Sequence, residues 1–208
     1  MKIVKNAWQS VGWAVLLAVS SSADGIKFDF KDPKGVNTVS FSMDAPLEAI
    51  SGSAHGISGE VEFDPAKPEA TKGKITVATA SMHVPNPTMK EHMHAKDWMD
   101  VATYADLTFE AESLSDVQKS GDVYNGKVQG KMTLKGVTKP VTVPVKLTYL
   151  KDKLGARTNG RMQGDLLVLR AQFSVKRSEF GINPGAPTDK VSDEVELTLS
   201  LAGSAPKR

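Results

Sequence analysis

The side chains with the most capacity for chemistry fall within eighteen positions: Met82, His83, Met89, His92, Met93, His94 and Met99. Thioether sulfur and neutral imidazole together favour copper, so a metal set drawn from His83, His92, His94, Met89 and Met93 is one reading of the cluster. His92 and His94 stand two apart, and on a helix such side chains diverge. The other reading is a methionine-rich apolar patch flanked by surface histidines. With His55 these are all four histidines of the chain. No Gly-x-Ser-x-Gly elbow, no His-Glu-x-x-His pair and no glycine-rich phosphate loop is present. There is no cysteine, which excludes disulfides, thiolate metal sites and cysteine nucleophiles. The expectation is a protein that is not an enzyme and requires no cofactor. Arg170 and Arg177 lie on the polar side, or at the end, of a run of alternating residues. Arg177 is a candidate for contacting a ligand head group, or for a structural ion pair with a carboxylate such as Asp193.

The elements that position these residues are almost all strands. Apolar and polar residues alternate with period two in eight runs, a pattern that gives a strand one apolar and one polar face. The inward series begin with Val39, Phe41, Met43 and Ala45, then Ile57 to Phe63, then Ile75 and Val77. They continue through Leu107 to Ala111, Val128 to Leu134, Val141 to Tyr149, Leu167 to Val175, and Val195 to Leu201. Turn signals such as Asp64-Pro65, Ser120-Gly121-Asp122 and Lys135-Gly136 separate them. Pro144, on the polar side of its run, marks an edge or a bulge. The spacing predicts an all-β fold, an eight-stranded antiparallel barrel or sandwich. One segment departs from it. Thr88 to Val101 has helical spacing, with Thr88 and Glu91 placed for a capping box, and predicts a short helical insertion over residues 88–101.

The first residues read as an export signal. Lys2 and Lys5 precede an apolar run from Ala7 to Val19, too short for the roughly 20 residues of a membrane span. Ser21 and Ala23 are the small residues a signal peptidase selects. The expectation is a leader over residues 1–23, a mature domain over residues 24–208, and a periplasmic location. Removing Lys2 and Lys5 leaves 24 basic and 24 acidic side chains. That balance argues against a nucleic-acid partner and against a polybasic membrane anchor.

An eight-stranded barrel either fills its interior or holds one small ligand. The inward series includes Ala45, Gly59, Ala111, Gly130 and Ala171, with few bulky aromatics. Such a series either matches the taper of a filled core or leaves a cavity suited to an extended apolar ligand. Met43 and Met132 would let its wall adapt to a flexible chain.

Several motifs carry a resemblance. They are Gly59-Glu60-Val61-Glu62-Phe63-Asp64, Trp98-Met99-Asp100-Val101 through Tyr104 to Leu107-Thr108-Phe109, and Gly130 to Val141. The clearest are Arg177-Ser178-Glu179-Phe180-Gly181-Ile182 and Val191-Ser192-Asp193-Glu194-Val195. In their order and spacing the chain resembles, over residues 26–202, the YceI family of periplasmic, lipocalin-like proteins. The resemblance implies an eight-stranded barrel with a helical insertion, holding an isoprenoid quinone or other polyisoprenoid lipid in a central tunnel. On that reading the tunnel is lined by Phe41, Met43, Val61, Phe63, Leu107, Phe109, Met132, Leu134, Leu169 and Phe173. Met93, Trp98 and Met99 would form its lid. The implied partner is the lipid, with transient membrane contact for its exchange and a homodimer as a further candidate state. The competing readings are the copper protein and a structural β-domain with a filled core.

Overall fold

A computed structural model describes residues 25–207. The expected leader lies outside the described residues. Ten strands form one antiparallel sheet: β1 (Ile26–Asp29), β2 (Thr38–Asp44), β3 (Ala49–Ala54), β4 (Ile57–Phe63), β5 (Lys72–Ala78), β6 (Asp106–Ser120), β7 (Val123–Leu134), β8 (Val137–Leu150), β9 (Gly164–Lys176) and β10 (Glu194–Pro206). Each of the eight expected runs is found. β1 and β3 are additional, and they do not add staves to the barrel.

The registers show why. β10 pairs with β2 through Glu196↔Ser42 to Ser200↔Thr38, and further along with β1 through Asp29↔Ser204. β1 and β2 are therefore two halves of one stave, interrupted by residues 30–37. Likewise β3 pairs with β2, and β4 with β1. His55 and Gly56 merely kink that second stave. Eight staves then run up and down in sequence order, and β10 closes on the first. Closure puts every inward residue into one interior.

The turns and excursions divide between two ends. Residues 30–37, the single turn Pro68–Ala70 and the short helix α2 (Leu154–Arg157) stand at one end. At the other lie the β2–β3 turn, residues 79–105, the Lys135-Gly136 turn and residues 177–193. Lys135 and Gly136 both take positive φ (46° and 75°), as a two-residue hairpin loop requires, and the Tyr104 ring packs onto Gly136. β8 and β9 pair only from Val145↔Ala171 to Leu150↔Leu166. Pro140 and Pro144 occupy the stretch of β8 with no β9 partner, in keeping with their missing N–H groups.

The helical insertion is shorter than expected. α1 spans Pro87–His94, not residues 88–101. Its cap is Asn86, whose side chain accepts a hydrogen bond from Met89 N at 3.1 Å, and Pro87 supplies a fixed φ in the first turn. The Thr88–Glu91 capping box does not form, because Thr88 already lies inside the helix. Ala95 is extended (φ −68°, ψ 166°) and ends the helix, so Trp98 and Met99 sit in turns beyond it.

Candidate functional site

The barrel encloses a cavity of about 210 Å³ whose surface is apolar throughout. Its wall draws on the half-staves β2, β3 and β4 and on every strand from β5 to β10. The sequence-predicted residues Phe41, Met43, Val61, Met93, Trp98, Met99, Leu107, Phe109, Met132, Leu134, Leu169 and Phe173 all stand around it. Many inward residues are only partly buried although they point into the barrel: Leu107, Phe109, Leu134, Leu169 and Phe173 face a void rather than packed neighbours. That observation decides against a filled core.

Phe63 is the exception among the predicted liners. It is fully buried and does not reach the cavity. Its ring meets Tyr124 edge-on at 5.1 Å and Tyr149 at 6.2 Å, and Phe28 meets Tyr149 at 6.2 Å. These four rings, with Leu147, Leu167 and Leu201, make a floor that seals one end. Period-two alternation correctly turned Phe63 inward. It carries no signal for height along the barrel, which separates plug from wall.

The opposite end is roofed by the excursions. Met99, Met132, Phe180 and Ile182 are buried together, with Met93, Trp98 and Leu134 packed against them. Lys135 Nζ ties two of the pieces, donating to Asp97 O at 3.0 Å and Gly181 O at 3.2 Å. Asn183 N donates to the same Asp97 carbonyl at 3.0 Å. Ile182, Met82 and Val195 also line the cavity and were not among the predicted liners. Ile182 closes the Arg177 motif, and its apolar character in a polar loop was the available signal.

Arg177 lines the cavity but does not have the role expected of it. It is 2% exposed, and all five of its N–H groups point to backbone carbonyls. Nε donates to Ser192 O at 3.0 Å. Nη1 donates to Ile182 O at 3.1 Å and to Asn183 O, and Nη2 to Ala186 O and Val191 O, both at 3.1 Å. The guanidinium also lies 5.7 Å from the Trp98 ring centre. Arg177 thus organises residues 177–193 as a roof and keeps no donor for a head group. Nor does it pair with Asp193, whose carboxylate instead accepts from Ser178 N at 2.9 Å and Ser178 Oγ at 2.8 Å. Burial opposes the charge on Asp193. The Ser178 hydrogen bonds and the positive charge of Arg177 outweigh it and hold the carboxyl below its ordinary range.

The histidine–methionine cluster divides: Met82, Met93 and Met99 stand in the cavity wall and the histidines do not. His94 Nε2 lies 2.9 Å from Met82 O, His83 pairs through its backbone with Ser53, and His92 is exposed. Met93 joins the cavity wall while Met89 does not. Among the described residues no three histidine or carboxylate side chains come together as a metal set.

A family model described as a YceI-like domain matches residues 30–202. The chain belongs to the YceI-like family. A curated relative from Yersinia pestis, named UPF0312 protein, is 33% identical over 154 residues, 74% of this chain and 73% of its own length. Among solved structures, BcnA of Burkholderia cenocepacia is 28% identical with a TM-score of 0.63, covering 80% of this chain and 95% of its own. A polyisoprenoid-binding domain from Saccharophagus degradans, implicated in plant cell wall breakdown, shares the fold at 12% identity and a TM-score of 0.64, covering 88% of this chain and 99% of its own.

Proposed function

We propose that this YceI-like protein is an exported, non-enzymatic binding protein. It holds a long isoprenoid lipid, an isoprenoid quinone or a polyprenyl chain, for carriage, storage or stress sensing in the periplasm. The observation that carries this reading is the apolar cavity, blind at its aromatic floor and roofed at its other end. A flexible hydrocarbon chain is the ligand such a wall accepts, since each buried methylene contributes about 0.8 kcal/mol. The polyisoprenoid-binding relative supports the choice of lipid class. Brief contact with a membrane would serve exchange.

Mass spectrometry of lipid extracted from the native protein tests the reading. A long isoprenoid at near one per chain is expected, on a polypeptide whose intact mass begins at Asp24. Retained residues 1–23 would overturn the assignment as an exported mature domain. A variant tests the location. Gly130 is a poor place to fill the cavity, because a side chain there would come within 2.3 Å of Glu110 O in the neighbouring strand. Ala171 faces the cavity from β9, opposite Val145 and Leu199. Ala171→Leu is expected to keep stability within about 1.5 kcal/mol of the parent and to lower lipid content at least about tenfold. Unchanged lipid content in a folded variant would place the ligand elsewhere.

A further inference from the structure

We infer that the site recognises the tail of its ligand alone and is blind to the head group, so that a wholly apolar terpenoid hydrocarbon is as good a ligand as its alcohol or quinone. This inference rests on the isoprenoid reading above. Its ground is the inventory of polar atoms around the cavity. Among the described residues four side chains in the wall carry a polar atom: Thr71, Trp98, Thr108 and Arg177.

None of the four, the Trp98 indole N–H included, puts a polar atom on the cavity surface, which is apolar throughout. The Thr71 hydroxyl donates to Pro68 O at 2.5 Å. Thr108 lies between the inward residues Leu107 and Phe109, and so belongs to the outward-facing set of β6, paired with Thr133 of β7 and Thr76 of β5. The five Arg177 donors are all taken by the carbonyls of Ile182, Asn183, Ala186, Val191 and Ser192. Among the described residues one buried side-chain oxygen lacks a partner, Thr79 Oγ1, and Thr79 is not part of the cavity wall.

Two consequences follow. A quinone oxygen, hydroxyl or phosphate drawn into the cavity would lose water and find no replacement, which is strongly unfavourable. A head group is therefore favoured outside the apolar wall, in contact with water. And because no polar atom of the protein faces the cavity, a ligand without a head group leaves nothing unsatisfied. Sites that discriminate sharply do so because the lesser ligand strands a buried polar group. This cavity has none to strand.

The test uses the delipidated full chain and three ligands that share one polyprenyl tail: the hydrocarbon, the free alcohol and the quinone. Each competes against a labelled polyprenyl alcohol of the same tail length. Dissociation constants within about tenfold of one another are expected, less than one lost charge-assisted hydrogen bond would produce. A preference beyond that for the alcohol or quinone over the hydrocarbon would overturn the inference while leaving the isoprenoid reading in place. Failure of all three to bind would overturn both.

Discussion

The two ends of this barrel are made from the same alternating strands, yet they differ in what the inward side chains meet. At the floor, Phe28, Phe63, Tyr124, Leu147, Leu167 and Leu201 are all but excluded from solvent and touch one another. The rings meet edge-to-face, the arrangement that adds to simple burial. Toward the roof, Leu107, Phe109, Leu134 and Phe173 keep exposed surface because the barrel axis there is empty. A side chain facing a void forfeits the dispersion contacts of that side. The upper half compensates with polar order at its rim, where one guanidinium gathers five carbonyls. The floor therefore supplies stability, and the upper half gives up contacts of its own that a ligand can make.

Truncating one phenylalanine from each half gives the largest contrast. Phe63→Ala removes a fully buried ring and is expected to lower stability by about 3–5 kcal/mol. Phe173→Ala removes a ring that already borders the cavity, and about 2 kcal/mol or less is expected. Urea unfolding of the delipidated proteins measures both. Equal losses would mean that the upper half is packed as tightly as the floor.

The next effect is local. Arg177→Lys keeps the charge but replaces five planar donors with three, so at least two of the five carbonyls lose their partner. The penalty is about 2 kcal/mol. It is expected to appear as about thirtyfold faster hydrogen exchange across residues 178–193, one factor of ten for each 1.4 kcal/mol. Amides in the lower halves of β7 and β10 should not change. Faster exchange at both ends alike would show that Arg177 supports the whole barrel rather than its roof.

How far these regions were legible in the sequence depends on what each rests on. The staves were legible, because alternation of single residues such as Phe41, Met43 and Leu107 reports the face directly. β3 was missed because Ala49-Ile-Ser-Gly-Ser-Ala offers little contrast between its faces, and β1 because four residues are too few for a period. Twelve of the thirteen predicted liners stand around the cavity. Phe63 does not, since height along a barrel depends on register between distant strands. The helix start was misplaced because Asn86-Pro87 is itself a strong cap and preempts Thr88. The carbonyl cage around Arg177 had no side-chain signature at all. Its acceptors are backbone atoms, which every sequence possesses.

The smallest expected effect separates the ends by pH. Tyr149, at the floor, donates its hydroxyl to Asp165 Oδ2 at 2.7 Å. Burial, that hydrogen bond and the nearby charges of Asp165 and Asp152 raise its pKa well above the ordinary phenol range. In the unfolded chain the phenol ionises near pH 10. Above that the unfolded state sheds a proton that the native state keeps, so stability is present below about pH 10 and falls as pH rises, by up to about 1.4 kcal/mol per unit. Acid does not distinguish the ends. Asp193 beneath the roof and Asp32 beside the floor both sit below their ordinary range. For Asp32, burial opposes the charge, and hydrogen bonds from Asn37, Lys34 and Val36, together with Arg157, outweigh it. Both groups contribute stability that is lost as pH falls below about 4. The alkaline limb is the discriminating one. Tyr149→Phe removes the titrating group, so the variant should lose about 1 kcal/mol less than the parent between pH 9 and 11. Urea midpoints at high salt make the measurement, since salt quiets exposed pairs such as Lys127–Asp116 and Lys131–Glu112. Parallel alkaline losses in the two proteins would show that the Tyr149–Asp165 contact does not couple the floor to pH.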